Sequence, residues 1–560
     1  MHGGDLVVKS LRAIGVAKVF GLPGAQTNTI YDAIGRNEGI QHIQVRDERT
    51  GVFAADAYAR VTGRIGVCDA TYGPGATNLP SGLFEAYNSS VPVLALLGGP
   101  EQHLLNQNNK GRAAQGIDQL SMLRPITKQV YTVAKAELIP ETIRIAAITA
   151  CSGVPGPVAI EFPANVLREI VSDESFSGIH FEEAVFPLNP TTAPRDRITE
   201  AAELIANAQR PVIVAGGGVL LSGAEQELTG LINDIQIPVF STYTGKGSIP
   251  DIHPMSMGLT GAVGIPMNEP LVRKADLVVL VGVKNSQNVT YSWTFPEKHQ
   301  KVIHIDIDPE DINRIFDTKV GLVGDARLIL KDLRDALNTT VHVDRFDWIE
   351  EVLQVRASWQ KLKNEEQNME KIPIAPQRVM KAIQACMDED TCVVADASFS
   401  SAWVAENLEQ DVNGRHFLFP RGSGGLGWSL PAAIGAYASG KYKKVIVVAG
   451  DGGYGYSVNE LATLREHGYA IVSVVLNNST WGWMKWLGRI TYEQETPSTD
   501  LVNLDYAAIG SAFGLPSAHV ENPDNLEEEL TRLLQSGKGG VLNVVTAWDE
   551  SPDFNYRKLI

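Results

Sequence analysis

Cysteine is scarce in this chain. Four residues, Cys68, Cys151, Cys386 and Cys392, are scattered over 560 positions. None sits at metal-ligand spacing, and so few thiols cannot build a disulfide framework, so reduced and mostly buried cysteines are expected, as in the cytosol. Basic charge is also short. Forty-eight Lys and Arg against 65 Asp and Glu leave a net charge of −17, which argues against nucleic acid or an anionic membrane as partner. No apolar run approaches the roughly 20 residues that span a bilayer. The first residues lack a basic segment followed by an apolar one, so no signal peptide is expected and a cytoplasmic location is. Low-complexity segments and short-period repeats are absent too.

What is present describes an ordinary globular chain, 44% hydrophobic and 20% charged, long enough for about three or four domains. Short apolar strands alternate with helical patterns in three blocks, expected as domains at 1–182, 190–342 and 370–560. The first block carries strands at 18–20, 66–71, 91–97 and 157–161. A polar, Pro-containing linker at 186–196 separates it from the second, whose strands are RPVIVAGGG, IPVFST, ADLVVLVG and KVIHIDID. A charged helix over 355–371 leads into Pro373 and the third block. Alternating strand and helix implies α/β architecture: three doubly wound parallel-sheet domains.

The strongest chemical signal lies in the third block. An apolar strand at 445–448 runs into Gly450-Asp451-Gly452. After a helix and a second strand at 471–476 comes the pair Asn477-Asn478. One βαβ unit brings such strand ends side by side. Asp451 and Asn478 then face one oxygen-rich crevice beside a glycine turn. Magnesium takes a few hard oxygen ligands with phosphate oxygens as the rest, and glycine lets a diphosphate approach the backbone. In the first block, Glu48 stands where a strand gives way to a helix. A carboxylate there is also what the helix dipole favours, so alone it identifies nothing. Downstream, GPGATN (residues 73–78) forms a tight turn that opens a further helix.

FGLPGA (20–25), GPGATN, HIDIDP (304–309), GLGWSLPAAIG (425–435) and GDG…NN follow one another in this order. With them the chain resembles, nearly end to end, the thiamine diphosphate-dependent superfamily of pyruvate oxidase, acetolactate synthase, 2-oxoacid decarboxylases and benzaldehyde lyase. The resemblance implies pyrimidine-binding, central and diphosphate-binding domains. It implies that Glu48 hydrogen-bonds the aminopyrimidine ring nitrogen and shares its proton, and that Gly73 and Asn78 belong to the cofactor site. Asp451, Asn478 and the Thr480 carbonyl match magnesium ligands. Gly452, Gly453, Ala397 and Ser398 match the diphosphate loops, Gly424 a carbonyl donated to the aminopyrimidine, and Leu426 the apolar prop under the bent cofactor. Leu426 as ordinary core and the 396–400 loop as an ordinary helix cap stay open. Asp47 stands where relatives often have histidine. A homodimer at least is implied, and a homotetramer is expected.

VFGLPGAQTNTIYDAI, QGIDQLSMLRPITK and NNSTWGWMKWL resemble most the benzaldehyde lyase-like and acetolactate synthase-like branch. Two histidines used as proton relays in some relatives are replaced by Gln26 and Pro420. Gln26, Gln115 and His103 are the remaining polar candidates, Gln115 first among them. The synthase pattern's phenylalanine–glutamine pair is Ala114-Gln115 here, and its pocket lysine is Ala164. At least one of Trp481 and Trp483 is expected to wall the substrate cavity. The central block's Gly216–Gly218 cluster allows FAD, but the flavin-type GxR motif reads Gly282-Val283-Lys284, so FAD stays open. The expected activity is a thiamine diphosphate- and magnesium-dependent carboligase or lyase acting on small carbonyl substrates. A 2-oxoacid decarboxylase, an FAD-linked oxidase and a noncatalytic cofactor-binding scaffold are the alternatives.

Overall fold

The computed structural model describes residues 1–552 apart from 109, 177 and 178. It contains three six-stranded sheets. The first is built from β1 (Lys18–Gly21), β2 (Gln41–Gln44), β3 (Gly66–Ala70), β4 (Val93–Gly99), β5 (Gln129–Thr132) and β6 (Val158–Pro163), in the order β2-β1-β3-β4-β6-β5. The second holds β7 (Pro211–Ala215), β8 (Val239–Ser241), β9 (Ser256–Leu259), β10 (Leu277–Val281), β11 (Lys301–Asp306) and β12 (Val320–Val323), in the order β12-β11-β10-β7-β8-β9. The third holds β13 (Thr391–Ala395), β14 (Phe417–Leu418), β15 (Lys444–Gly450), β16 (Ile471–Asn477), β17 (Ser517–Val520) and β18 (Gly540–Val545), in the order β14-β13-β15-β16-β18-β17. The strand pairings are parallel, as the alternation of strands and helices predicts. In each order the chain first steps one way and later the other, which opens a crevice at the carboxyl ends of the strands.

The second sheet shows why these strands read as mostly apolar runs. Ile213, Val279, Ile303 and Ile305 enter one buried cluster, while Val212, Val214, Val278, Leu280 and Val302 enter another. Successive side chains point to opposite faces, and here both faces are covered, so the positions are mostly apolar, with His304 of β11 a buried exception. By compactness the chain divides into two units. One comprises Met1–Leu188, Pro420–Val445 and Gly455–Ile471, and the other Asn189–Phe419, Ile446–Tyr454 and Val472–Ile560. Among the described residues no helix is long and apolar enough to cross a membrane.

At the end of β11, Asp306 accepts a 2.9 Å hydrogen bond from the Asp308 amide, and its side chain is 12% exposed. Burial, reinforced by the charges of Asp311 and Asp308, pushes its carboxyl up to about 7. The neighbouring His304, held down to about 4 by burial, stays neutral above that value. Asp306 therefore binds a proton more tightly folded than unfolded, and its contribution to stability is lost as pH rises from about 4 to 7. Asp306→Asn keeps the acceptor for Asp308 and removes that loss. Thermal unfolding at pH 8 should find the variant more stable than the parent by on the order of 2–4 kcal/mol, with the advantage gone near pH 4.

Candidate active site

In the second unit, β15 delivers Asp451 and β16 delivers Asn477 and Asn478. The two asparagines divide their work. Asn477 is buried, and its Nδ2 donates to the Leu504 carbonyl (2.8 Å) and to Asn543 Oδ1 (3.1 Å). It ties the strand end to its surroundings. Asn478 is half-buried, and its Oδ1 accepts from the Thr480 amide at 3.2 Å, which orients the side-chain amide. Burial pushes the Asp451 carboxyl up to about 6, against the pull of backbone N–H groups of Gly452, Asn478 and Ser479. The Tyr506 hydroxyl fixes the Asp451 carbonyl at 2.8 Å.

This donor set fits a hard cation: one buried carboxylate, one oriented amide oxygen, and the Thr480 carbonyl, which accepts from Gly482 N at 2.9 Å and has a second lone pair. A Cβ at Gly452 would lie 2.5 Å from the Trp481 indole, so Trp481 covers the glycine turn and only glycine fits beneath it. On the neighbouring strand end after β13, Ala397 N donates to Asp396 Oδ1 (2.8 Å). Ser398 takes φ +72 before the helix Phe399–Asn407, a backbone conformation that costs a non-glycine residue about 1–3 kcal/mol and persists where surroundings enforce it.

In the first unit, Asp47 caps the helix Glu48–Thr62 by accepting from Arg49 N at 2.8 Å, and Gly63 (φ +68) ends it. Glu48 is thereby placed at the first helical position. Its Oε2 accepts from Asn78 Nδ2 at 2.8 Å. A Cβ on Gly75 would come within 3.0 Å of its other oxygen, so the GPGATN turn closes on the carboxylate. Gln26 and Gln115 are brought together, Nε2 to Oε1 at 3.4 Å, and Thr71 Oγ1 donates to Gln26 Oε1 at 2.8 Å. Gln115 has φ +62. Its carbonyl would lie 2.4 Å from a Cβ on Gly73, itself at φ +73. His103 lies apart from this group, 69% exposed beside Glu101.

Thr71 follows β3 directly, and a hydroxyl at the carboxyl end of a parallel strand is a readable signal. Gln119 and Glu161 carry no such signal. Buried Gln119 accepts from Gly73 N (3.3 Å) and donates to the Gly98 carbonyl (2.8 Å) and Glu161 Oε2 (2.7 Å). Only the fold reveals that it ties the Gly73 turn to β4 and β6. Leu426 is half-exposed and follows Gly424, which is exposed at φ +67. Trp483 packs against Phe399 (ring centroids 5.3 Å apart) and Trp486 (5.6 Å), beside the core of the third sheet. In the second sheet, Cβ atoms on Gly216 and Gly218 would strike the backbone of Gly282 at 2.1 and 2.6 Å, so close packing alone accounts for two of the three glycines.

Three family models match the chain: thiamine pyrophosphate enzyme, N-terminal TPP binding domain, over residues 1–122; central domain, over 198–333; and C-terminal TPP binding domain, over 396–544. The chain is 34% identical to a probable acetolactate synthase large subunit of Methanocaldococcus jannaschii, over 97% of this chain and 92% of that one. It is 30% identical to the acetolactate synthase isozyme 2 large subunit of Escherichia coli, over 97% and 95%, and 32% identical to the acetolactate synthase large subunit of Lactococcus lactis, over 94% and 90%. With all three domain models matched in order and relatives of this identity along nearly its whole length, the chain belongs to the thiamine pyrophosphate-dependent enzymes, in their acetolactate synthase-like branch.

Proposed function

We propose that the protein is a carboligase or lyase that joins or cleaves a carbon–carbon bond next to a carbonyl, using thiamine diphosphate with magnesium. Its substrates are 2-oxoacids, aldehydes or acyloins. The cofactor supplies a carbon nucleophile and an electron sink for the charge released when such a bond breaks. The observation that carries the reading is the Glu48–Asn78 pair, a carboxylate held by one amide under the GPGATN turn. Glu48 would hold a proton at the aminopyrimidine ring nitrogen. Asp451, Asn478 and the Thr480 carbonyl would hold the metal, with Gly452, Gly453, Ala397 and Ser398 against the diphosphate. Gly73, Gly424 and Leu426 would seat the aminopyrimidine. Gln26, Gln115, Trp481 and Trp483 are our candidates for the substrate pocket.

Carboligation is favoured over plain decarboxylation by the Gln26–Thr71–Gln115 group. Amides and hydroxyls orient a carbonyl by hydrogen bonding but do not deliver a proton to carbon as an imidazolium does. The reacting carbon is left for a second carbonyl. We place the domain limits at 1–182, 190–342 and 370–560, the working unit as a homodimer or a pair of dimers, and the location in the cytoplasm.

Product analysis after incubation with pyruvate, glyoxylate, benzaldehyde and benzoin tests the reading. A joined hydroxyketone or hydroxy-oxoacid, or cleavage of benzoin, is expected. Aldehyde released from an oxoacid as the sole product in every mixture would make the enzyme a decarboxylase instead. A visible absorption spectrum decides FAD: a yellow protein whose colour bleaches with substrate would favour the oxidase.

A further inference from the structure

Glu85 lies on the helix Pro80–Asn88, fully buried, and its carboxylate meets five donors within the first unit. Oε1 accepts from Gly422 N (2.9 Å), Ser89 Oγ (2.9 Å) and Arg60 Nη2 (3.0 Å). Oε2 accepts from Ser423 N (2.6 Å) and Ser423 Oγ (2.9 Å). The grip extends beyond the carboxylate. Asn88 Nδ2 donates to the Gly422 carbonyl at 3.0 Å, and a Cβ on Gly422 would lie 2.3 Å from the Glu85 carbonyl. Ser423 Oγ in turn accepts from Gly425 N at 3.2 Å. A hydroxyl has one proton and two lone pairs, so Ser423 donates to Glu85 and accepts from Gly425 at once. The path runs from the helix to the residue before Leu426.

The segment needs such a hold. Gly422, Gly424 and Gly425 surround one serine, and glycine loses more conformational freedom on ordering than any other residue. Burial alone would raise the Glu85 carboxyl, but the Arg60 charge and the Ser423 and Gly422 amides outweigh it and keep it below its ordinary value. It is an anion with every partner in place. Arg60, which also pairs with Asp56 at 2.9 Å and lies over the Trp428 ring, balances the charge. The stretch that ends in Glu85 begins at the turn whose Asn78 holds Glu48.

We infer that Glu85 is a positioning residue for the cofactor: through Gly422 and Ser423 it sets the loop that presents Gly424 and Leu426 to the aminopyrimidine. This rests on the assignment of those two residues to the cofactor site. A plain counterion to Arg60 would need neither the Ser423 hydroxyl nor the two loop amides.

Ser423→Ala separates the two roles, because it leaves the Glu85–Arg60–Asp56 group intact and removes the link to Gly425. Affinity for thiamine diphosphate at saturating magnesium is read from tryptophan fluorescence, the ring's seating from near-ultraviolet circular dichroism, and the KM for the carbonyl substrate from kinetics. Full-length S423A should melt like the parent without cofactor, bind thiamine diphosphate about tenfold more weakly, a loss of about 1.4 kcal/mol, and keep its substrate KM. Glu85→Gln, whose amide would face donors with a donor, should lose more. Leu426→Ala is run alongside. If L426A weakens cofactor binding while S423A and E85Q bind and seat it like the parent, Glu85 is a counterion and the inference is overturned. If L426A also binds like the parent, the loop's assignment to the cofactor falls, and the positioning role falls with it.

Discussion

Glu48→Gln should leave a folded, cofactor-binding protein with turnover lowered by about 10²–10⁴-fold, the range lost with a positioned acid or base. The fold should survive because the substitution changes little around it. Asp47 still caps the helix, and a glutamine Oε1 still accepts from Asn78. What glutamine cannot do is carry a proton at the place where the aminopyrimidine nitrogen would sit. Steady-state kcat together with thiamine diphosphate affinity reads the result. A variant within tenfold of the parent rate would remove Glu48 from the chemistry. Asn78→Ala should have a smaller effect, about tenfold, since it loosens the carboxylate without removing it.

The second large effect concerns Asp451. Asp451→Ala should weaken magnesium and thiamine diphosphate together, by more than about 100-fold, because loss of an outer-shell partner already costs 10–100-fold. Titration calorimetry of the metal with and without cofactor measures it. Without ligands the variant should melt no lower than the parent. In the parent a buried carboxylate is met by backbone N–H groups and keeps a desolvation cost that alanine does not carry. Tight cofactor binding by D451A in the absence of metal would show that the crevice between β15 and β16 is not the metal site.

The strands that were easy to read in the sequence are the interior ones. β1, β3, β4 and β6, β7, β8, β10 and β11, and β13, β15 and β16 read as mostly apolar runs, even where a buried polar residue such as Asp69, Glu161 or His304 interrupts them. β5, β9, β12, β14 and β17 do not, and each is an edge of its sheet. β2, also an edge, is legible only from the position of Glu48. An edge strand is short and half-solvated, as the QHIQ of β2 is, and need not be apolar. β18 lies inside the third sheet and carries a buried polar residue, Asn543, whose purpose appears only where it meets Asn477.

The candidate site divides in the same way. Glu48, Asp451 and Asn478 stand in local motifs and could be found by them. Gln119, Glu161 and Glu85 each have a partner 42 to 338 residues away in the chain, and no local pattern marks such a remote pairing. Trp481 and Trp483 look equivalent in sequence. The fold sets the first against Gly452 and turns the second into the Phe399–Trp486 cluster.

The contact between Gly73 and Gln115 bears on how the substrate range could be changed. Both residues have positive φ, and the Gln115 carbonyl rests on the Gly73 Cα with no room for a Cβ. Only the side chain beyond the Gln115 Cβ is open to variation. Libraries aimed at new acceptors should diversify Gln115 together with Gln26, keep glycine at 73, and include asparagine at 115, since it tolerates the left-handed backbone better than β-branched residues do. Branched substitutions at 115 should be lost through misplaced backbone before their effect on the acceptor is ever felt.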